Sequence, residues 1–329
     1  MDTFLQQLVN GLTAGSVYAV VALGYTMVYG IIQLINFAHG EVVMIGAMVA
    51  FTVINALAGG ALPPLAVVLL GTLCAIPVCM LVGYSMERLA YRPLRRAPRL
   101  APLITAIGVS IVLQHLAMLV WSRNILAFPQ IMQTKTFTFF GAASSTSVQI
   151  AIISICVAMM AGLAALVYRT PLGTAMRATA QNPQVAGLMG VDVNRVIAAT
   201  FVIGAALGAV AGVLFGTYYG IAQYTMGSIL GLKAFSAAVL GGIGNIPGAM
   251  LGGILLGLVE ALGAGYIGDL TDLCSYGWLA GVLGERCADG GHFILFGSNY
   301  QDVFAFVVLI LVLVFRPQGL LGERAGDRA

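Results

Sequence analysis

Nine stretches of this chain are apolar over most of their length, near residues 8–35, 40–57, 64–87, 101–121, 149–167, 197–219, 227–242, 248–265 and 303–315. A helix needs about 20 mostly apolar residues to cross the hydrocarbon of a bilayer. Inside lipid every backbone N–H and C=O must find its partner within the protein, so helices are the simplest answer. The seventh and ninth stretches are short, and the seventh reads equally as a broken or re-entrant segment. Composition closes the soluble alternative. Only 8% of residues are charged and 60% are hydrophobic, where a soluble domain carries about 25% charged residues. The expectation is an all-α integral membrane protein, one transmembrane domain over 1–329 with about nine spans.

Basic residues in short loops set orientation. Arg88, Arg92, Arg95, Arg96 and Arg99 lie between spans three and four, Arg169, Arg177 and Arg195 between five and six, and Arg316, Arg324 and Arg328 after the ninth. The opposite loops hold Arg123, Lys135 and Arg286. Nine spans then predict an N-terminus outside and a C-terminus inside, in the cytoplasm. The start, MDTFLQQLVNGL, lacks the basic n-region of a cleaved signal, so the first span is expected to be retained. With only two lysines, Lys135 and Lys233, the chain offers nothing to nucleic acid.

The cytoplasmic loop 168–196 carries unusual punctuation. Thr170 can cap a helix that begins at Pro171, Asn182-Pro183 repeats that signal, Gly190 supplies a stop, and Asp192 or Asn194 can cap the next span. Two short helices between two spanning ones follow. Such a loop is either a docking surface or a solvated connector.

Ionisable groups at membrane depth are costly and mark candidate functional positions. Asn36, His39 and Glu41 fall in INFAHGE, a turn without basic residues that can dip into the membrane. Gln114 and His115 lie in span four, Lys233 in span seven, Glu260 in span eight. Lys233 either pairs with a carboxylate or snorkels to an interface. Span one presents Gly11, Gly15, Tyr18, Ala22, Tyr25 and Tyr29 on one stripe, which suits a packed or a water-lined face rather than lipid. Glycines at 204, 208, 212, 216 and 220, and Gly253, Gly257, Ala261 and Gly265, form two further small-residue faces. The segment 241–253, GGIGNIPGAMLGG, reads as a tight turn or a broken-helix element and not as a phosphate loop, since it lacks the Lys-Ser/Thr pair.

Cys74, Cys79 and Cys156 lie in apolar runs. Cys274 and Cys287 share the outer loop 266–302, where a disulfide and a pair of free thiols both stand open. The chain has no GxxxxGK[ST], HExxH, GxSxG or Cys/His metal spacing, so any ATP-driven process needs its ATPase in another chain.

Three long stretches, GSVYAVVALGYTMVYGIIQLINFAHGEVVMIGA, RTPLGTAMRATAQNPQVAGLMGVDVNRV and GLKAFSAAVLGGIGNIPGAMLGG, resemble the H-type membrane permease subunit of bacterial branched-chain amino acid ABC importers. ERLAYRPLR and FRPQGLLG extend the likeness from Gly11 to Gly322. The resemblance implies a multi-pass protein of the bacterial inner membrane, with its outer side and N-terminus periplasmic, and without enzymatic activity or a cofactor of its own. Its implied partners are a homologous second permease, two cytoplasmic ATPase subunits that bind ATP and magnesium, and a periplasmic substrate-binding protein. It implies that a cytoplasmic coupling helix, formed by Gln181, Asn182, Pro183, Gln184, Val185, Ala186, Gly187, Leu188, Met189 and Gly190, docks on the ATPase. The translocation path is expected to include Tyr18, Tyr25, Tyr29, Asn36, His39, Glu41 and Lys233. Related importers carry urea or short-chain amides, and an ATP-independent channel or ion-coupled carrier is the alternative of another class. The loop 266–302 is longer than the resemblance leads one to expect.

Overall fold

The computed structural model describes residues 2–60, 62–95, 97–98, 100–131, 134–139, 143–267 and 301–322. The disulfide positions Cys274 and Cys287 lie outside the described residues. Among the described residues eleven α-helices follow one another: α1 (Asp2–Ile32), α2 (His39–Leu57), α3 (Pro64–Ser85), α4 (Leu100–Val120), α5 (Ser147–Arg169), α6 (Pro171–Gln181), α7 (Pro183–Leu188), α8 (Val193–Tyr219), α9 (Met226–Gly241), α10 (Ile246–Leu262) and α11 (Gln301–Phe315). Among the described residues, seven helical segments are long and apolar enough to cross a membrane; α9 and α11 are apolar but shorter, at 16 and 15 residues. The seventh apolar stretch, α9, is a single unbroken helix.

α1 is the axis of the molecule. In its most apolar stretch 78% of residues are buried, against 11% in α4. Its stripe of small residues is a close-packing face. A Cβ on Gly11 would sit 2.9 Å from the Cα of Leu258, and one on Gly15 would sit 2.9 Å from the Gly253 carbonyl oxygen. Gly253 and Gly257 on α10 press back against Ala19 and Gly15. Without bulky side chains the backbones approach closely, and dispersion replaces the hydrophobic drive that lipid does not supply. The glycine series on α8 divides its work. Gly204 and Gly208 face His39, Gly212 accepts the backbone of α2 at Val43, Gly216 meets the Phe128 ring, and Gly220 closes the helix with φ +68°.

The outer helices expose what the inner ones bury. Ile104, Ile111, Leu119 and Val120 on α4, and Ile310 and Val314 on α11, are exposed, as suits a surface facing lipid or another membrane subunit. α3 runs on through a π-helical turn (Met86–Tyr91) and a 3-10 turn (Arg92–Leu94). There the buried Glu87 pairs with Arg95, which also donates to Asn194 Oδ1 at 2.7 Å. Burial draws the Arg95 guanidinium below its ordinary value, and Glu87 opposes that. The arginine cluster is thereby fastened to the start of α8.

Strands modify the all-α expectation at one end of the molecule. β1 (Leu126–Ala127) pairs with β4 (Ile221–Ala222), and β2 (Thr136–Phe139) with β3 (Ala143–Thr146), both antiparallel. At the opposite end, the residues after α11 close the turn between α9 and α10. Leu320 and Leu321 donate N–H bonds to the Leu240 and Gly241 carbonyls at 2.9 and 3.0 Å, and Asn245 Nδ2 donates to the Leu321 carbonyl at 2.6 Å. Gly242 and Gly244 adopt φ +107° and +94°, open to glycine alone at little cost. The segment GGIGNIP is therefore a tight turn, and Asn245 caps α10 by accepting from the Gly248 N–H.

Candidate functional site

Two interruptions of the apolar pattern carry the polar chemistry. The first lies between α1 and α2. Gln33, at φ +53°, ends α1, and the Asn36 carbonyl accepts from the His39 N–H at 3.1 Å to start α2. Asn36, His39 and Glu41 are all buried, at 2%, 3% and 1% exposure. The His39 ring occupies the space that a side chain at Gly24 would need, in the last third of α1. Tyr25 meets that ring edge-on at 5.0 Å, and the Tyr25 ring in turn meets that of Phe235 at 6.1 Å. Two of the polar groups have a specific partner. Tyr91 donates its hydroxyl to Asn36 Oδ1 at 2.8 Å, and Ser110 donates to Glu41 Oε1 at 3.1 Å. The other carboxylate oxygen, Oε2, lies over Gly227 in the first turn of α9, a helix whose N-cap has no side-chain bond of its own. A carboxylate there sits between the positive ends of two helices, α2 and α9. His39 Nε2 and Glu41 Oε2 are buried without a hydrogen-bond partner among the described residues.

The expected path residues separate into two groups. Tyr25, Asn36, His39 and Glu41 gather at this junction, with Tyr29 beside it in a small cleft shared with Ile35, Phe235 and Ile243. Tyr18 and Lys233 belong to a second cluster. Lys233 pairs with Glu260 and, at 2.7 Å, with Asp302, and it reaches the Tyr18 hydroxyl at 3.4 Å. Of the two fates open to Lys233, pairing is the one realised. The network ties together α1, α9, α10 and α11. A buried pair of this kind gives little net stability, but losing one partner strands a charge.

Gln114 and His115 have ordinary partners, Ser228 Oγ at 3.4 Å and the Ile111 carbonyl at 2.9 Å. Sequence reasoning missed Tyr91 and Ser110. Tyr91 sits in a run read for its arginines and its family likeness, and nothing local marks either residue as a partner of INFAHGE.

The second interruption is the loop between α5 and α8. Thr170 Oγ1 accepts from the Gly173 N–H at 3.1 Å, and Asn182 Oδ1 from those of Gln184 and Val185 at 3.0 and 3.1 Å. Asp192, not Asn194, caps α8, accepting at 3.1 and 3.2 Å. Gly190, at φ +89°, ends α7, and the Val191 N–H returns to the Ala186 carbonyl at 3.0 Å; that is the bond pattern of a glycine-terminated helix. α7 buries Ala186 at 4% exposure, and Val185, Leu188 and the C-cap Met189 turn out, at 51%, 87% and 81%. Three apolar side chains held outward on a capped helix form a surface suited to a protein groove.

Comparison with known proteins agrees with this architecture. Residues 7–313 match the family described as "Branched-chain amino acid transport system / permease component". The chain is 48% identical over 326 residues to the high-affinity branched-chain amino acid transport system permease protein BraD of Pseudomonas aeruginosa, covering 97% of this chain and 96% of that one. It is 43% identical over 324 residues to the permease protein LivH of Escherichia coli K12, with the same coverage. A more distant relative, the probable branched-chain amino acid transport permease LivH of Methanocaldococcus jannaschii, is 26% identical over 314 residues, 92% of this chain and 87% of that one. No solved structure matches. The apolar helices, the capped loop and the likeness along nearly the whole chain lead to one conclusion: this protein belongs to the family of branched-chain amino acid transport system permease components.

Proposed function

We propose that this chain is the translocation subunit of an ATP-driven importer for branched-chain or closely related amino acids, in the bacterial inner membrane. It crosses nine times, with a periplasmic N-terminus and a cytoplasmic C-terminus. The arginine asymmetry supports this orientation, and so does the gathering of α7 and Arg95 at one end of α8. Its partners are a homologous permease, two cytoplasmic ATPases that bind ATP and magnesium, and a periplasmic binding protein. Residues 181–190 dock on an ATPase, and α6 joins that contact to α5. Closure of the ATPase dimer on ATP moves α7, and the movement passes into the helices around α1. The substrate path runs beside α1 near Tyr25, Tyr29 and the junction at Asn36, His39 and Glu41, while Tyr18 and Lys233 fix its other end. An aliphatic zwitterion needs an apolar route with few polar contacts, and the aromatic lining of the cleft supplies one.

The exposed apolar trio on α7 carries this reading, because a solvated connector has no reason to hold Leu188 and Met189 outward on a helix with both ends capped. Reconstitution tests it. The complex of this chain with its second permease and ATPases, in vesicles loaded with ATP and given binding protein outside, should accumulate leucine, isoleucine or valine and not urea or acetamide. Uptake by this chain alone without ATP would replace the reading with a carrier.

A further inference from the structure

At the arginine-rich end, α1, α5, α6 and the turn before α10 border a partly open cavity of about 80 Å³, where about 10–15 Å³ on this measure admits one water. Its walls are largely aliphatic, from Met27, Ile31, Met176 and Ile246. Two polar groups stand out. Thr26 is 1% exposed and its hydroxyl has no hydrogen-bond partner among the described residues. The hydroxyls of Thr13, Thr52, Thr72, Thr179, Thr200 and Thr217 all donate to the carbonyl four residues earlier. A threonine in a helix normally does this; Thr26 departs from that pattern, and the residue lines the cavity wall. Arg177 supplies the second group. Its guanidinium bonds the Val167 carbonyl, stands 5.8 Å from the Tyr168 ring, and reaches Thr174 Oγ1 at 3.5 Å. A guanidinium has five N–H donors, so this one keeps donors for an anion.

We propose that this cavity binds a small aliphatic carboxylate from the cytoplasmic side, the transported amino acid itself, and that occupancy slows further transport. The inference rests on the proposed substrate and orientation. The carboxylate pairs with Arg177, the branched side chain fills the aliphatic wall, and Thr26 gives the second polar contact. Met176, Arg177 and Ala180 come from α6, next to the docking helix α7. A ligand held between α6 and α1 therefore resists movement of the lever, and the importer senses how much product it has delivered.

Two measurements on the whole reconstituted complex test it. In the first, vesicles are loaded with ATP and with either leucine or buffer, and initial uptake is read. Internal leucine should inhibit the wild-type complex. Thr26→Val and Arg177→Gln should each raise the half-inhibiting concentration about tenfold or more, as expected for one lost hydrogen bond to a charged group. Inhibition that is absent, or unchanged in both variants, overturns the proposal. In the second, Ala180→Cys is labelled with maleimide in nanodiscs. Leucine and isovalerate should slow labelling, and glycine should not. Absence of protection overturns the site even if uptake is normal; protection with no leucine uptake overturns the substrate reading and leaves the site standing. Repeating the labelling in nanodiscs without anionic lipid separates a lipid headgroup from a free ligand: protection that follows lipid composition and ignores leucine counts against the proposal.

Discussion

The two interruptions of the apolar pattern are inversions of each other. Between α1 and α2 the polar residues Asn36, His39 and Glu41 turn inward and the structure buries them almost completely. Between α5 and α8 the apolar residues Val185, Leu188 and Met189 turn outward. Each arrangement costs free energy where it stands. The first pairs buried polar groups with Tyr91 and Ser110, brought from α3's extension and α4. The second leaves its apolar surface uncovered within this chain, and the proposed docking on an ATPase is what would cover it. A buried polar cluster is thus a matter of internal assembly, and an exposed apolar cluster a matter of association.

Substitutions can break that contrast. The largest effect is expected from Leu188→Asp, which should leave thermal unfolding within about 0.5 kcal/mol of wild type, as at an ordinary exposed site. Coupled uptake should nevertheless fall about 30-fold or more, in line with a hot-spot loss of about 2 kcal/mol. Retained coupling would make α7 a mere connector. Gly24→Leu should do the opposite at the first interruption. It drives a side chain into the space of His39 and should destabilise the protein by about 2–3 kcal/mol, read as a lowered midpoint in detergent. A smaller loss, about 1–2 kcal/mol, is expected for Asn36→Ala, which strands the buried Tyr91 hydroxyl; Tyr91→Phe in the same background should recover much of it. The smallest is Asn182→Ala. Removing that cap costs about 1 kcal/mol, confined to α7. Faster hydrogen exchange over residues 183–188 should appear without a change in global unfolding, and an equal loss of global stability would show that the loop is part of the core.

How much of this was legible before the structure depends on how local the determining contact is. Thr170, Asn182 and Gly190 could be read correctly because a cap acts on backbone groups two or three residues away. The choice between Asp192 and Asn194 was open because both are good caps within one turn. The glycine faces were legible as faces, yet their partners were not: Gly257 meets Gly15, while Gly208 meets His39, and spacing alone does not name the opposite helix. Tyr91 with Asn36, and Lys233 with Asp302, join residues far apart in sequence, and no period reports such a pair. The β2–β3 hairpin escaped notice because its strands are four residues each and lie in a polar connection. The substrate route stayed an expectation for a different reason. A stripe of tyrosines looks alike whether it packs or lines water, and here Tyr18 and Tyr25 proved to serve two separate clusters.

The clasp formed by Leu320 and Leu321 on the α9–α10 turn bears on how such a chain is made. Ribosomes deliver residues in order, so the Leu240 carbonyl enters the membrane region 80 residues before the N–H of Leu320 that satisfies it. Until then the turn at Gly242 waits with its acceptors open. Completion of this corner therefore waits for the residues that follow α11, and a subunit interrupted before that point lacks the N–H groups that close the turn.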